Sequence, residues 1–178
     1  MAVPHTEPIT TTALRSHDNP QATTKESVAA TLTRCKTSLI DDWLARTKKT
    51  PALCHLQLSD KERTGHLPRL VDDLVARLDR PKLLEKDNDA VASPAAVEHG
   101  NLRRKQGYSS AMLIHESRIL QVTIFGVLHE NISTLDFQLL LPDVMIIADE
   151  VDAQLTQTME SFTNATTKST KPQLLKVK

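Results

Sequence analysis

Residues 109–131, SSAMLIHESRILQVTIFGVLHEN, constrain the fold more than any other stretch. Wound as a helix, they gather Met112, Leu113, Ile119, Leu120, Ile124 and Val127 on one side, and Glu116 falls in the middle of that apolar face. A carboxylate there must be paired, protonated or used, because burying an unpaired charge costs several kcal/mol or more. The stretch therefore predicts one polar cluster inside a helical core.

The helical signal extends through most of the chain. Val28, Leu32, Cys35, Leu39, Ile40 and Trp43 recur at spacings of three and four and predict a first helix over 24–48, closed by Lys48, Lys49 and Pro51. Ser59 and Glu62 have the spacing of a capping box. Gly65 and Pro68 then predict a short helical turn, a bend and a longer helix with Leu67, Leu70, Val71, Leu74, Val75 and Leu78 on its inner face. Residues 82–94 read as a surface connection. Ser93 before Pro94 starts a helix that ends near Gln106, where Gly107 suits a left-handed cap. Ser133 is expected to cap a short helix that Pro142 breaks or kinks. A last helix follows, with Val144, Ala148, Val151, Leu155, Met159 and Phe162 on a narrow stripe of the kind that forms interfaces. No strand and no repeat is evident, so the fold class is all-α, a compact multi-helix bundle. The domain is expected over 23–163, between a disordered leader, 1–22, and a disordered tail, 164–178.

Composition narrows the function. A chain of 178 residues suits one domain. The 22 basic and 22 acidic residues cancel, which argues against nucleic acid or an anionic membrane as partner. Aromatic residues make up 3%, little material for base stacking or for the wall of a haem pocket around His99 or His129. The four glycines form no phosphate loop. The N-terminus lacks the apolar run of a signal peptide, and no uninterrupted apolar stretch reaches the roughly 18 residues of a membrane span. A cytoplasmic location is expected. Cys35 and Cys54 suit neither a disulfide framework nor a zinc site, and Cys35 reads as a buried thiol. His55 and His66 lack partners at helical ligand spacing, so no metal and no cofactor is expected.

On the helix before Gly107, His99, Leu102, Arg103 and Gln106 share a face that Leu102 marks as inward. His99 and Arg103 are thus placed to meet Glu116, with the arginine fork suited to a carboxylate. The plainest reading is a structural lock between two helices; a pocket for a ligand or a proton is the sharper one. Arg104 and Lys105 point away and read as a solvated helix end.

The order His99-Gly100, Arg103, Gly107-Tyr108, then Glu116 with Arg118 and Leu120, resembles the N-terminal domain of RsbRD-type stressosome co-antagonists, a domain that also precedes some bacterial sensor histidine kinases. Trp43 with Arg46, and Leu67 to Leu70, fit the same pattern. The resemblance spans roughly residues 25 to 163 and implies a globin-like helical fold without haem. It implies a homodimer acting as a non-catalytic input module for stress signalling, working with a kinase or anti-anti-sigma type output. His99, Arg103, Glu116, Arg118 and Tyr108 are its polar-core or ligand-sensing candidates. Related proteins continue into an output domain, whereas only a polar stretch follows Phe162 here. For the dimer interface, Ile114, Val122 and Phe125 form a second apolar stripe on the central helix, and Val151 and Leu155 belong to the last helix. The alternative is a histidine phosphotransfer protein. His115-Glu116-x-Arg118 resembles a phospho-accepting box, although Leu120 and Gln121 stand where such a box carries a proline.

Overall fold

Serine hydroxyls set most of the helix starts. Among the residues that the computed structural model describes, 25–80 and 92–169 with side chains through 164, there are seven helices. α1 (Val28–Arg34) begins at Ser27, whose hydroxyl accepts from the Ala30 amide. α2 (Lys36–Lys49) follows after a loosened turn at Cys35. α3 (Asp60–Thr64) has the full Ser59–Glu62 capping box. α4 (Leu67–Leu78) follows at once, and α5 (Pro94–Lys105) is capped by Ser93. α6 (Ser110–Glu130) is capped by Ser109. α7 (Phe137–Ser169) is the longest. Gly107, after α5, has φ +80°, the left-handed conformation that glycine adopts without a Cβ clash.

Four boundaries differ from the sequence reading. The first helix is two, because Thr33 bonds back to the Ala29 carbonyl and Ser38 to the Cys35 carbonyl, and such back-bonding bends helices. Ser133 caps nothing: its carbonyl receives Lys25 Nζ, and it is the Asp136 carboxylate that accepts from the Gln138 amide at the start of α7. Pro142 lies inside α7 without ending it. The ring removes one bond to residue 138, which is exposed, so water can satisfy the freed carbonyl. α7 also continues past residue 163 to Ser169. The expected leader, most of the 82–94 connection and residues 170–178 lie outside the described residues.

α6 runs through the middle, against α2 on one side and α7 on another, while α4 packs on α1 and α7. Leu32, Leu39, Trp43, Leu74, Ile124, Leu135 and Ile147 are fully buried in the main core. By length and composition α6 could cross a membrane, yet here Leu113, Leu120, Ile124, Val127 and Leu128 are buried against the rest of the chain. No strand occurs among the described residues. One isolated bridge, Glu26 to Leu135, ties the start of the described chain to the α6–α7 turn.

The most extensive helix pairing, α5 on α7, is made by small residues. A Cβ on Gly100 would collide with the Ser161 side chain and the Thr158 carbonyl, and Thr158 Oγ1 donates to the Ala96 carbonyl at 3.1 Å. This close approach positions the polar face of α5.

Candidate functional site: a buried carboxylate network

Arg103 is 0% exposed and Glu116 3%. The guanidinium grips the carboxylate twice, through Nε to Oε2 at 3.0 Å and Nη2 to Oε1 at 2.7 Å. Nη1 donates to the Glu62 carbonyl at 3.1 Å and to Gln106 Oε1 at 2.6 Å; Nη2 donates to the Arg63 carbonyl at 2.6 Å. The guanidinium also lies 4.7 Å from the centroid of the Tyr108 ring. One side chain thereby joins α3, α5 and the start of α6. Such bidentate, fully bonded pairing is the arrangement in which an ion pair tolerates burial.

Glu116 is served by further donors. The Tyr108 hydroxyl donates to Oε1 at 2.9 Å, and His99 Nε2 stands 3.4 Å from Oε2. Its backbone carbonyl receives the Trp43 indole N–H at 3.4 Å. Burial opposes its charge, but the His99 hydrogen bond, the Arg103 charge and the Tyr108 hydroxyl outweigh burial and hold the pKa below the ordinary carboxylate value. Burial in turn lowers His99 despite the adjacent carboxylate, and raises Tyr108, with the negative Glu116 adding to the rise.

His66, at the turn between α3 and α4, completes the cluster. Its ring stacks on His99 with centroids 3.8 Å apart and planes at 16°, and meets the edge of Trp43 at 6.0 Å. Nδ1 lies 3.4 Å from Arg103 Nη2, so it is the accepting nitrogen. Burial above all, then the His99 ring and the Arg103 charge, hold His66 well below its ordinary pKa and therefore neutral. Beside the two rings lies a cavity of about 30 Å³, bordered by His66, His99, Glu116, Ser117, Gln154 and Thr158 and otherwise by apolar side chains.

The structure brings together His99, Arg103, Tyr108 and Glu116 from the sequence-derived set, and separates Arg118 from them. Arg118 is exposed on the opposite side of α6, because two residues beyond Glu116 a helix has turned by more than half a circle. Leu102 is only half-buried: the inward face of α5 is Ala96, His99, Gly100 and Arg103. Among the dimer-interface candidates, Val151 is a core residue and Leu155 borders the internal cavity, so the stripe on α7 is taken up inside the chain. Phe125 is partly buried against the core, while Ile114 and Val122 are 53% and 45% exposed. Cys35, expected buried, is half-buried. Sequence reasoning missed His66 and Arg63. Arg63 is 4% exposed and holds the loop before α3 through the Leu53, Leu56 and Leu58 carbonyls. The only sequence signal for His66 was its place beside the Leu67–Leu70 motif.

Comparison of the chain with protein-family models, with curated proteins and with solved structures finds no match in any of the three.

Proposed function

We propose that this chain is a non-catalytic bacterial signalling input module, in which the Arg103–Glu116 network is both lock and sensing element and α7 carries the change outward. One observation supports the reading above the rest: the residues on which the RsbRD-type resemblance rests, His99, Arg103, Tyr108 and Glu116, converge on one buried carboxylate. A signal that moves α5 against α6 must break the bidentate pair. The same motion reaches α7 through the tight Gly100–Thr158 contact. Bistable, fully bonded contacts of this kind turn small shifts into discrete states. Against catalysis, the carboxylate is paired with Arg103 rather than set as a base beside a nucleophile, and among the described residues Ser117 makes no hydrogen bond to either cluster histidine.

Hydrogen exchange on Arg103→Lys tests the coupling. Protection is expected to fall in α7 as well as in α5 and α6; loss confined to α5 and α6 would remove the transmission step. The module is read as a homodimer through the outer face of α6, where Ile114 and Val122 are exposed. Sedimentation equilibrium should give a dimer that Val122→Asp converts to a folded monomer, and a monomeric parent sinks this part.

Phosphotransfer at His115 is the second reading, favoured by the exposure of that ring in a groove it shares with Arg46 and Arg118. Incubation with a phosphorylated response regulator decides it: label on His115 supports phosphotransfer, and none rejects it.

A further inference from the structure

His99 has an unused nitrogen. Nε2 faces the Glu116 carboxylate and therefore carries the proton, which leaves Nδ1 a bare lone pair. That atom is buried and has no hydrogen-bond partner. The ring borders the 30 Å³ cavity, which exceeds the roughly 10–15 Å³ needed for one water-sized occupant. His66 borders the same cavity. One ligand atom from each of His66, His99 and Glu116 lies within 4.8 Å of the other two, and all three residues are buried. They come from the turn before α4, from α5 and from α6, so only the folded chain assembles them.

Two neutral imidazoles and one ionised carboxylate are in the protonation states that metal binding requires. This nitrogen-rich, borderline-soft set suits zinc and its first-row neighbours rather than magnesium or calcium, which take oxygen ligands. We infer that His66, His99 and Glu116 form a binding site for one divalent transition-metal ion of the zinc class at the wall of this cavity.

Ligands about 2.0–2.1 Å from a tetrahedral ion lie about 3.4 Å from one another; His99 Nε2 and Glu116 Oε2 are 3.4 Å apart, and ligation through Nε2 moves its proton to Nδ1, the ring's unpartnered nitrogen. His66 must close in, and the parallel rings must tilt out of their stack for both lone pairs to converge; the cavity provides the room. Arg103 is the opposing charge, and its Nη2 also faces the His66 Nδ1 lone pair at 3.4 Å, a contact that must be given up to the ion. Arg103 does not depend on Glu116 alone, because the Glu62 and Arg63 carbonyls, Gln106 and the face of Tyr108 also hold it. The carboxylate can therefore be shared, at some cost in affinity. The site rests on the cavity's own geometry and not on the signalling reading.

The test is titration of the chelator-stripped full chain with Co²⁺ alone, followed by its visible d–d bands, then displacement by Zn²⁺. Saturation at one ion per chain is expected. His66→Gln and His99→Gln should each weaken binding about tenfold or more, an effect of the size seen even for second-shell losses. His115→Gln, on the exposed face, should leave it unchanged. Because both cluster histidines are buried, imidazole NMR of the unaltered protein supplies an independent reading: Zn²⁺ should shift the His66 and His99 resonances first. Absence of d–d bands up to millimolar Co²⁺, or shifts confined to the other histidines, overturns the site.

Discussion

The two halves of α6 present the same stripe to opposite kinds of surroundings. Toward its start, Leu113 and Glu116 meet Arg103, Tyr108 and two histidines; toward its end, Ile124, Val127 and Leu128 meet hydrocarbon from α1, α2 and α7. The apolar end is held by volume, so a residue there can be exchanged for one of similar size at modest cost. The polar end is held by pairing, where removing one member strands the others. Stability at one end is therefore spread over many contacts, and at the other it is concentrated in a few atoms that can also be switched.

The largest test of that contrast is Arg103→Ala. It leaves Glu116 buried with only Tyr108 and His99, and should cost about 3–5 kcal/mol in chemical denaturation; a loss below about 1 kcal/mol, no more than an exposed ion pair is worth, would erase the distinction between the two ends. Acidification is the next lever, because it strikes several members at once. Both histidines are held below their ordinary value of 6.5 in the fold, so the unfolded chain takes up protons first. Stability should be level above about pH 6.5 and fall progressively below it, and Glu116, held below 4.5, adds a second loss under that pH. The His66→Gln/His99→Gln double variant should lose the first descent and keep the second, as followed by thermal melts across pH.

Gly100→Ala should cost about 1–3 kcal/mol by overpacking α5 on α7, and should also lower hydrogen-exchange protection of the Arg103 cluster, since that contact positions it. The smallest effect is expected at the apolar end. Ile124→Val should cost only about 0.5–1.5 kcal/mol, with no change in the pH profile. A pH-sensitive response at Ile124 would show that the two ends are not separable.

The contrast between α4 and α5 explains what could be read in advance. Leu67, Leu70, Val71, Leu74 and Leu78 announce the buried face of α4 by spacing alone, and all five are buried. The buried face of α5 is Ala96, His99, Gly100 and Arg103, which no hydrophobic pattern marks. The pairing with Glu116 was anticipated through Leu102, a half-buried neighbour, so the right partners came from an imperfect marker. Pro142 misled because a proline's cost depends on whether the freed carbonyl is solvated, which is a tertiary fact.

By itself, the sequence determined an all-helical chain with serine-capped starts, a left-handed turn at Gly107 and a carboxylate that must find partners, because capping, periodicity and charge burial act within a few residues or impose a demand wherever they occur. Only the tertiary structure decided which partners meet that demand. His66, Arg63 and the Glu62 carbonyl lie 37 or more residues from Arg103 and Glu116 along the chain. They reach the cluster because α3 and the turn after it lie against the Arg103 side chain of α5, and a contact between distant segments leaves no periodic trace in either one.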